Sequence, residues 1–139
     1  MLGIICYSLI NMMKIRILLV DDEPDLLEVL AETLESEGYE TLCARNATEF
    51  DSKAFSAKPH LIILDIDLGG ENGPDVYNVL LRKGLDPQIP VIFLSGLIEV
   101  SDTHIPAGRH YTLHAKPFNG DKLIRDIGQL TKNLHREAA

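Results

Sequence analysis

Five polar side chains stand directly after four apolar runs of the sequence, and their types suit phosphoryl chemistry. Asp21 and Asp22 follow the first run, and Asp65, Ser95 and Lys116 follow the other three. Three carboxylates held close together repel one another, so such a group requires a bound cation. With Mg²⁺ as that cation, the hydroxyl and the ammonium complete a set suited to phosphoryl transfer, in which Asp65 is the phosphate acceptor.

The apolar runs have the length and composition of buried β-strands, and segments of helical period separate them. This alternation predicts an α/β domain with a parallel sheet. Because ligands of parallel sheets bind at the carboxyl ends of the strands, we expect the polar residues at these ends to share one crevice. The predicted strands are Lys14 to Val20, Tyr39 to Ala44, Leu61 to Leu64, Val91 to Leu94 and Tyr111 to Ala115.

Capping residues and apolar stripes predict the helices. Asp22-Glu23-Pro24 opens the first helix with an acidic start, and Gly38 ends it. Pro106 and Gly108 interrupt the segment from Leu97 to Gly108, so we expect a short or distorted turn there. Further helices are predicted over residues 47–57, from Pro74 to about Lys83 and after the cap Asn119, and a Gly-rich loop is predicted over residues 68–74.

The bulk properties predict one soluble domain. The chain has 139 residues, enough for a real core, and we place the domain at residues 14–136 with no output domain after its last helix. A net charge of −8 argues against direct nucleic-acid binding and against an anionic membrane surface. The two cysteines, Cys6 and Cys43, form no disulfide framework, which fits a reducing, cytoplasmic setting.

Residues 1–13 form an apolar N-terminal extension. No basic residue precedes the apolar stretch and no small-residue cleavage site follows it, and the stretch is shorter than the roughly 20 residues of a membrane span. The favoured interpretation is an extension that does no specific work. The alternative is a segment that packs on the sheet or on a partner. Under the first interpretation, deleting residues 1–11 leaves folding and phosphate acceptance intact.

The chain resembles the receiver domain of response regulators from Lys14 to about Leu134. The matching motifs, in order along the chain, are Asp21-Asp22, Asp65, Gly73, Ser95 and Lys116-Pro117-Phe118. Each motif alone is weak, but all of them in this order and at receiver spacing form a strong signal. The resemblance implies a doubly wound, flavodoxin- and CheY-like α/β fold with a five-stranded parallel sheet in the order 2-1-3-4-5.

The resemblance also implies a role for each site residue. Asp65 accepts a phosphoryl group from the phosphohistidine of a sensor histidine kinase or a histidine phosphotransfer protein. Asp21, Asp22, Asp65 and the main-chain carbonyl of Asp67 bind Mg²⁺, while Lys116 and Ser95 contact phosphate oxygens, and Pro117 permits a cis peptide that aims Lys116. The implied protein is a signalling module of a two-component phosphorelay and not an enzyme. It would act on a downstream effector in trans, with no nucleic-acid partner and no membrane insertion.

Two departures from the family pattern concern the output of the domain. Leu113 stands where receivers commonly carry Tyr or Phe, and Tyr111 has the wrong spacing to replace it. The segment around Pro106 is also poor for the usual fourth helix. We hypothesise that the domain signals through another surface or mainly relays phosphate.

Asp67, two residues after the acceptor, would lie beside the phosphoryl group. It either repels an attacking hydroxide or orients a water and speeds hydrolysis, and the sequence does not choose between these.

Two other functions remain open from the sequence. Asp65-Ile66-Asp67 resembles the acidic motif of haloacid-dehalogenase-type phosphatases, although that motif follows the first strand of a larger domain in those enzymes. A receiver fold that docks partners without phosphorylation is the second alternative.

The five histidines have no convincing metal-ligand spacing and are interpreted as surface or core residues: His60, His104, His110, His114 and His135.

Overall fold

The computed structural model of the chain describes residues 14–96 and 111–134. The expectations for the extension at 1–13 and for the turn between 97 and 108 lie outside these residues. The described elements are β1 Arg16–Val20, α1 Pro24–Ser36, β2 Glu40–Ala44, α2 Ala47–Ser56, β3 Leu61–Asp65, β4 Asp67–Leu68, β5 Glu71–Asn72, α3 Gly73–Arg82, β6 Val91–Ser95, β7 Tyr111–Ala115 and α4 Gly120–Leu130.

Five strands form one parallel sheet in the order β2-β1-β3-β6-β7. This order confirms the predicted 2-1-3-4-5 arrangement, since β4 and β5 belong to a separate hairpin. Strands β3 and β6 each run one residue further than predicted and include Asp65 and Ser95. The carboxyl ends of β1, β3, β6 and β7 therefore meet at one edge, which is the edge that carries the polar residues.

Alternate residues of the strands pack on opposite faces of the sheet and form two cores. On one face, Leu18, Leu64 and Phe93 pack with residues of α2 and α3. On the other face, Leu19 and Ile63 pack with residues of α1 and α4. Because both faces are covered, the central strands β1, β3 and β6 are apolar except at single end positions, which are Arg16, Asp65 and Ser95.

The helix ends follow the predicted capping residues. Pro24 occupies the first turn of α1, and Gly38 after that helix has a φ of +93°, which glycine adopts without strain. Asn119 caps α4 by accepting a hydrogen bond from the backbone N–H of Lys122. Helix α3 begins at Gly73, one residue before the predicted start. No helix among residues 14–96 and 111–134 combines the length and apolarity needed to cross a bilayer.

The predicted Gly-rich loop after β3 contains a short antiparallel hairpin. Strands β4 and β5 pair Asp67 with Asn72 and Leu68 with Glu71. Gly69 and Gly70 form the turn with φ values of +60° and +101°. The Gly-rich loop predicted over residues 68–74 thus overlaps a hairpin that was not predicted, because two-residue strands give no periodic signal in a sequence.

Candidate functional site

Three carboxylates meet at the carboxyl edge of the sheet. Asp21 follows β1, Asp22 is the next residue, and Asp65 ends β3. One carboxylate oxygen from each lies within 4.8 Å of the others. Asp21 and Asp65 are buried, with exposures of 1% and 3%, while Asp22 is exposed. The structure thus brings together the carboxylates that the sequence placed in one crevice, and Asp22 is the exposed member of the three.

Lys116 binds this carboxylate cluster from the end of β7. Its Nζ lies 2.9 Å from Oδ2 of Asp21 and 3.0 Å from Oδ2 of Asp65. A third carboxylate, that of Glu23, lies 3.3 Å from the same nitrogen on the exposed side. One compact ammonium group therefore faces three negative charges, so the described residues leave the cluster with a net negative charge.

Asp21 is the least satisfied member of the cluster. Its Oδ1 accepts a hydrogen bond of 2.9 Å from the backbone N–H of Glu23. Its Oδ2 is fully buried and has no partner of hydrogen-bonding geometry, although it lies in ion-pair range of Lys116. Burying a carboxylate oxygen that accepts no hydrogen bond costs folding free energy unless a cation binds it. The donor set consists of oxygens only, which suits a hard cation such as Mg²⁺.

The electrostatics of the cluster oppose its full ionisation. Burial raises the pKa of Asp65 to about 6, the nearby charge of Asp21 adds to this rise, and the hydrogen bond from Lys116 opposes it. Burial also raises the pKa of Asp21 against the hydrogen bond from Glu23 and the pairing with Lys116. The repulsion expected from the sequence is thus present, and added positive charge would favour the ionised form of both groups.

Lys116 stays protonated despite its partial burial. Burial alone would lower the pKa of its ammonium group, but its close pairing with the carboxylates of Asp21 and Asp65 outweighs burial and raises that pKa. The backbone of Lys116 is fixed as well, because its N–H donates a 2.8 Å hydrogen bond to the carbonyl of Ser95. The Lys116–Pro117 peptide bond is cis, as the resemblance implied.

Ser95 and Asp67 lie at the same edge. Ser95 is the last residue of β6 and is buried, with an exposure of 8%. Asp67 is exposed, and its backbone N–H donates a 3.2 Å hydrogen bond to Oδ1 of Asp65. Its side chain is directed to the hairpin turn, where Oδ1 accepts a 3.4 Å hydrogen bond from the N–H of Gly70. The two oxygens of Asp65 are thus held by different groups, Oδ1 by a backbone amide and Oδ2 by Lys116.

Two glycines allow the backbone to pass close to the carboxylates. A Cβ on Gly73 would lie 2.0 Å from the carbonyl oxygen of Asp65, so no side chain fits there. A Cβ on Gly69 would lie 3.0 Å from Oδ2 of Asp22, and its φ of +60° also favours glycine. Gly73 was part of the sequence motif, whereas the packing of Gly69 on Asp22 was not predicted.

Glu23 is the site residue that sequence reasoning missed. As the last residue before Pro24 it was interpreted only as part of an acidic helix start. The structure places its carboxylate beside Lys116, with 62% of the side chain exposed. The signal in the sequence is its position directly after the acidic pair, which keeps it at the carboxyl edge of the sheet.

The residues near the expected output position are packed differently from a receiver with an aromatic side chain there. Leu113 is half-buried and packs against the core that contains Phe93, its neighbour on β6. Tyr111 is 43% exposed, and its ring lies 5.8 Å from that of Phe93 in an edge-on contact.

His114 is buried and pairs with Asp126 of α4, with Nε2 and Oδ2 2.6 Å apart. His114 is thus a buried residue with a carboxylate partner on α4.

Known proteins similar to this chain are response regulators. A sequence profile of the response regulator receiver domain matches residues 17–128. The nitrogen assimilation regulatory protein NtrX of Azorhizobium caulinodans is 38% identical over 112 residues, which are 78% of this chain and 24% of that protein. The phosphate regulon transcriptional regulatory protein PhoB of Pseudomonas aeruginosa is 35% identical over 112 residues, covering 78% of this chain and 48% of that protein.

A third relative bears on the expected absence of nucleic-acid partners. The DNA-binding response regulator MtrA of Mycolicibacterium smegmatis is 33% identical over 118 residues, covering 83% of this chain and 50% of that protein. The chain thus spans from about a quarter to half the length of these relatives. The expectation of no nucleic-acid partner finds no support in this comparison.

Solved structures of receiver domains have the same fold. The receiver domain of an HD domain-containing protein from Pseudomonas fluorescens has a TM-score of 0.77 at 25% identity and covers 88% of this chain and 98% of that one. The response regulator TrrA of Thermotoga maritima, in complex with Mg²⁺ and BeF, has a TM-score of 0.67 at 34% identity and covers 84% of this chain and 98% of that one.

Proposed function

This chain belongs to the response regulator receiver domain family, and on that premise we propose that Asp65 is its phosphoacceptor. The observation that carries the proposal is the position of Lys116, whose ammonium group lies 3.0 Å from Oδ2 of Asp65 and 2.9 Å from Oδ2 of Asp21. A fixed cation beside a buried carboxylate is suited to hold phosphate oxygens next to the nucleophile. The chain is accordingly a module of two-component signalling.

The proposed reaction moves a phosphoryl group from a phosphohistidine to Asp65. An O–P bond forms at a carboxylate oxygen of Asp65 as the N–P bond of the donor breaks, and the electrons of that bond pass to the imidazole nitrogen. Since the transition state is loose, the protein mainly positions groups and neutralises charge. Lys116 neutralises one phosphate oxygen as a point charge, and the hydroxyl of Ser95 at the same edge donates a hydrogen bond to another.

We propose Mg²⁺ as the cofactor of this site. Asp21, Asp22 and Asp65 would hold it, together with the main-chain carbonyl of Asp67. The buried Oδ2 of Asp21, which has no hydrogen-bonding partner, and the oxygen-only donor set support this choice. When bound, Mg²⁺ supplies the positive charge that the carboxylates and an incoming phosphate both require. The raised pKa of Asp65, about 6, would fall on metal binding, which favours the ionised nucleophile at neutral pH.

The proposed partners follow from the family and from the charge of the chain. Response regulators interact with histidine kinases, and we propose that such a kinase or a histidine phosphotransfer protein is the donor, in the cytoplasm. We propose that the domain passes its signal to an effector and does not turn over a substrate as an enzyme does. The net charge of −8 supports a protein effector over direct contact with nucleic acid.

The output of the domain is proposed to differ from that of a receiver with an aromatic switch residue. Leu113 already packs against the core, and Tyr111 is held at the surface by its ring contact with Phe93. We propose that the domain signals through another surface or mainly relays phosphate. A pair of crystal structures, with and without a phosphate mimic, would test this. An inward movement of Tyr111 beside Lys116 on binding the mimic would contradict the proposal.

Intact-mass spectrometry after incubation with Mg²⁺ and acetyl phosphate tests the phosphoacceptor. We expect one phosphate adduct per chain, and none when a chelator removes Mg²⁺. Asp65→Asn removes the nucleophile and should abolish the adduct. The matched control is Asp67→Asn, which makes the same change two residues away and retains the main-chain carbonyl, so its adduct should remain. The lack of any adduct on the folded wild-type chain would instead favour the docking module that acts without phosphate.

A further inference from the structure

An apolar groove lies at the amino edge of the sheet, opposite the carboxylate cluster. We call it the basal groove. Its volume is about 590 Å³, within the range of sites that bind ligands or side chains. The apolar residues that line it come from the end of α2, the segment after α3, the segment before β6 and the last helical turns: Phe55, Leu85, Ile89, Pro90, Leu130 and Leu134.

The basal groove exposes apolar surface that the described residues do not cover. Phe55 on α2 has an exposure of 37%, which is high for an aromatic side chain on a helix that packs on a sheet. The floor of the groove is Leu85, which is buried in the core. Exposed apolar patches of this kind mark contact surfaces. The charged residues Lys58 and Asp86 are exposed at the rim, and the polar residues His60, Gln88 and Asn133 also line the groove.

The chain enters the sheet at the margin of the basal groove. The guanidinium group of Arg16 donates hydrogen bonds to the carbonyls of Ala57, at 3.1 Å, and Lys58, at 2.9 Å. The backbone N–H of Arg16 donates to Nδ1 of His60 at 2.9 Å, and His60 N–H donates back to the Arg16 carbonyl at 2.8 Å. Lys58 and His60 line the groove. Arg16, two residues after the described part of the chain begins, is therefore fixed at this rim.

We propose that the apolar extension, residues 1–13, docks in the basal groove of its own chain. The extension contains no Asp, Glu, Lys, Arg or His and seven Leu, Ile or Met residues after Met1. Its burial would thus remove apolar surface from water without burying a side chain that is charged at neutral pH. Attachment at Arg16 raises its effective concentration at the groove to about the millimolar range, above that of any segment from another molecule.

This docking is independent of the phosphoryl site. Strand β1 has five residues and separates the two edges by about 17 Å. The extension acts at the amino edge, and Asp21, Asp65 and Lys116 lie at the carboxyl edge. Removal of the extension should therefore change the groove and leave the phosphate adduct intact. Failure of either proposal can be recognised without reference to the other.

A tryptophan reporter tests the docking because the sequence contains no tryptophan. Phe55→Trp places the reporter in the basal groove of the full-length chain. Ile4→Asp together with Ile5→Asp makes the extension unfit for an apolar site. We expect this pair to shift the Trp emission to longer wavelength and to increase its quenching by acrylamide. The matched control, Ser8→Asp with Asn11→Asp, adds the same charge at polar positions and should cause a smaller shift.

A second reporter and a concentration series separate docking from other effects. Val29→Trp, at an exposed position of α1, should not respond to the state of the extension. The proposal is overturned if the groove reporter is insensitive to Ile4→Asp with Ile5→Asp, or if it responds equally to the control pair. It is also overturned if the reporter shift appears only at concentrations where sedimentation detects dimers, because the extension of a second copy then fills the groove.

Discussion

The two edges of one sheet carry opposite chemistry in this protein. At the carboxyl edge, Asp21 and Asp65 are buried with raised pKa values, and Lys116 only partly offsets their repulsion. At the amino edge, Phe55 and Leu85 border an apolar groove with charges only at its rim. The central strands between the edges, β1, β3 and β6, are almost wholly buried. The buried core therefore supplies most of the stability. Each edge can then carry groups that lack full pairing or burial, which are carboxylates at one edge and apolar side chains at the other.

Each edge carries chemistry that a further group could complete, a cation at one edge and an apolar segment at the other. The carboxyl edge has excess negative charge, which a bound divalent cation would neutralise. The amino edge has excess apolar surface, which an apolar segment can cover. Substitutions at the two edges should thus have different signs: loss of a site carboxylate should stabilise the metal-free fold, while changes at the amino edge should be neutral or destabilising.

Gly73→Ala should have the largest effect on stability. The added Cβ would lie 2.0 Å from the Asp65 carbonyl oxygen, a backbone atom that cannot move without disturbing the site. We expect a loss of about 3 kcal/mol in the free energy of unfolding, measured by urea denaturation. The control is Gly128→Ala in α4, where a Cβ meets no atom within 4 Å and helix propensity improves. Equal stability of the two variants would show that the carboxyl edge is not tightly packed.

Asp65→Asn should stabilise the metal-free chain by about 2 kcal/mol at neutral pH. Because burial raises the pKa of Asp65 to about 6, the folded chain holds the proton more tightly than the unfolded chain, whose value is near 3.8. The ionised carboxylate therefore destabilises the fold above pH 6. This penalty disappears as the pH falls from about 6 to below about 4, so the difference between variant and wild type should shrink over that range.

A matched carboxylate at the amino edge serves as the control for that experiment. Asp86 is exposed at the rim of the basal groove, and its Oδ1 accepts a 2.9 Å hydrogen bond from the N–H of Gln88. We expect Asp86→Asn to leave stability nearly unchanged or slightly reduced, as for most surface substitutions. Mg²⁺ should raise the melting temperature of the wild type and of Asp86→Asn, but not that of Asp65→Asn. Stabilisation by both substitutions would remove the contrast between the edges.

His60→Asn should have the smallest effect, and only at acidic pH. Burial and the charge of Arg16 lower the pKa of His60, so protonation is less favourable in the folded chain than in the unfolded chain. The contribution of the neutral ring is present above pH 6.5 and is lost as the pH falls through its lowered value. Asn retains an acceptor for the Arg16 N–H without titrating. As the pH falls below 6.5 the wild type should therefore lose stability relative to the variant, which urea denaturation over a pH series would measure.

Much of the fold and of the site could be predicted from the sequence. Apolar runs indicate the strands, and the polar residues at the ends of those runs indicate the site. Apolar runs identified β1, β3 and β6, and the polar residue after each run located Asp21, Asp65 and Ser95 at one edge. Strands β3 and β6 run one residue past their predicted ends because a buried polar residue can still continue a ladder, as Asp65 does opposite Leu94. The limits of the domain at 14 and 136 stay predictions.

The missed features depend on contacts between distant segments. Glu23 reaches Lys116 across 93 residues of sequence, and no local pattern encodes that pair. The pairing of His114 with Asp126 depends on how α4 packs on β7. The hairpin at Asp67–Asn72 was missed because its strands have two residues each. Sequence patterns thus located the groups, whereas tertiary packing determined which of them touch.

The most direct test of the central claim locates the phosphoryl group on the chain. The wild type is incubated with Mg²⁺ and acetyl phosphate, and the acyl phosphate is then reduced with borohydride, which converts a phosphorylated aspartate to homoserine. Tandem mass spectrometry of the peptides identifies the converted residue. We predict homoserine at position 65 and none at positions 21, 22 or 67. Conversion at another aspartate, or an unmodified Asp65 in a folded chain that binds Mg²⁺, would contradict the account.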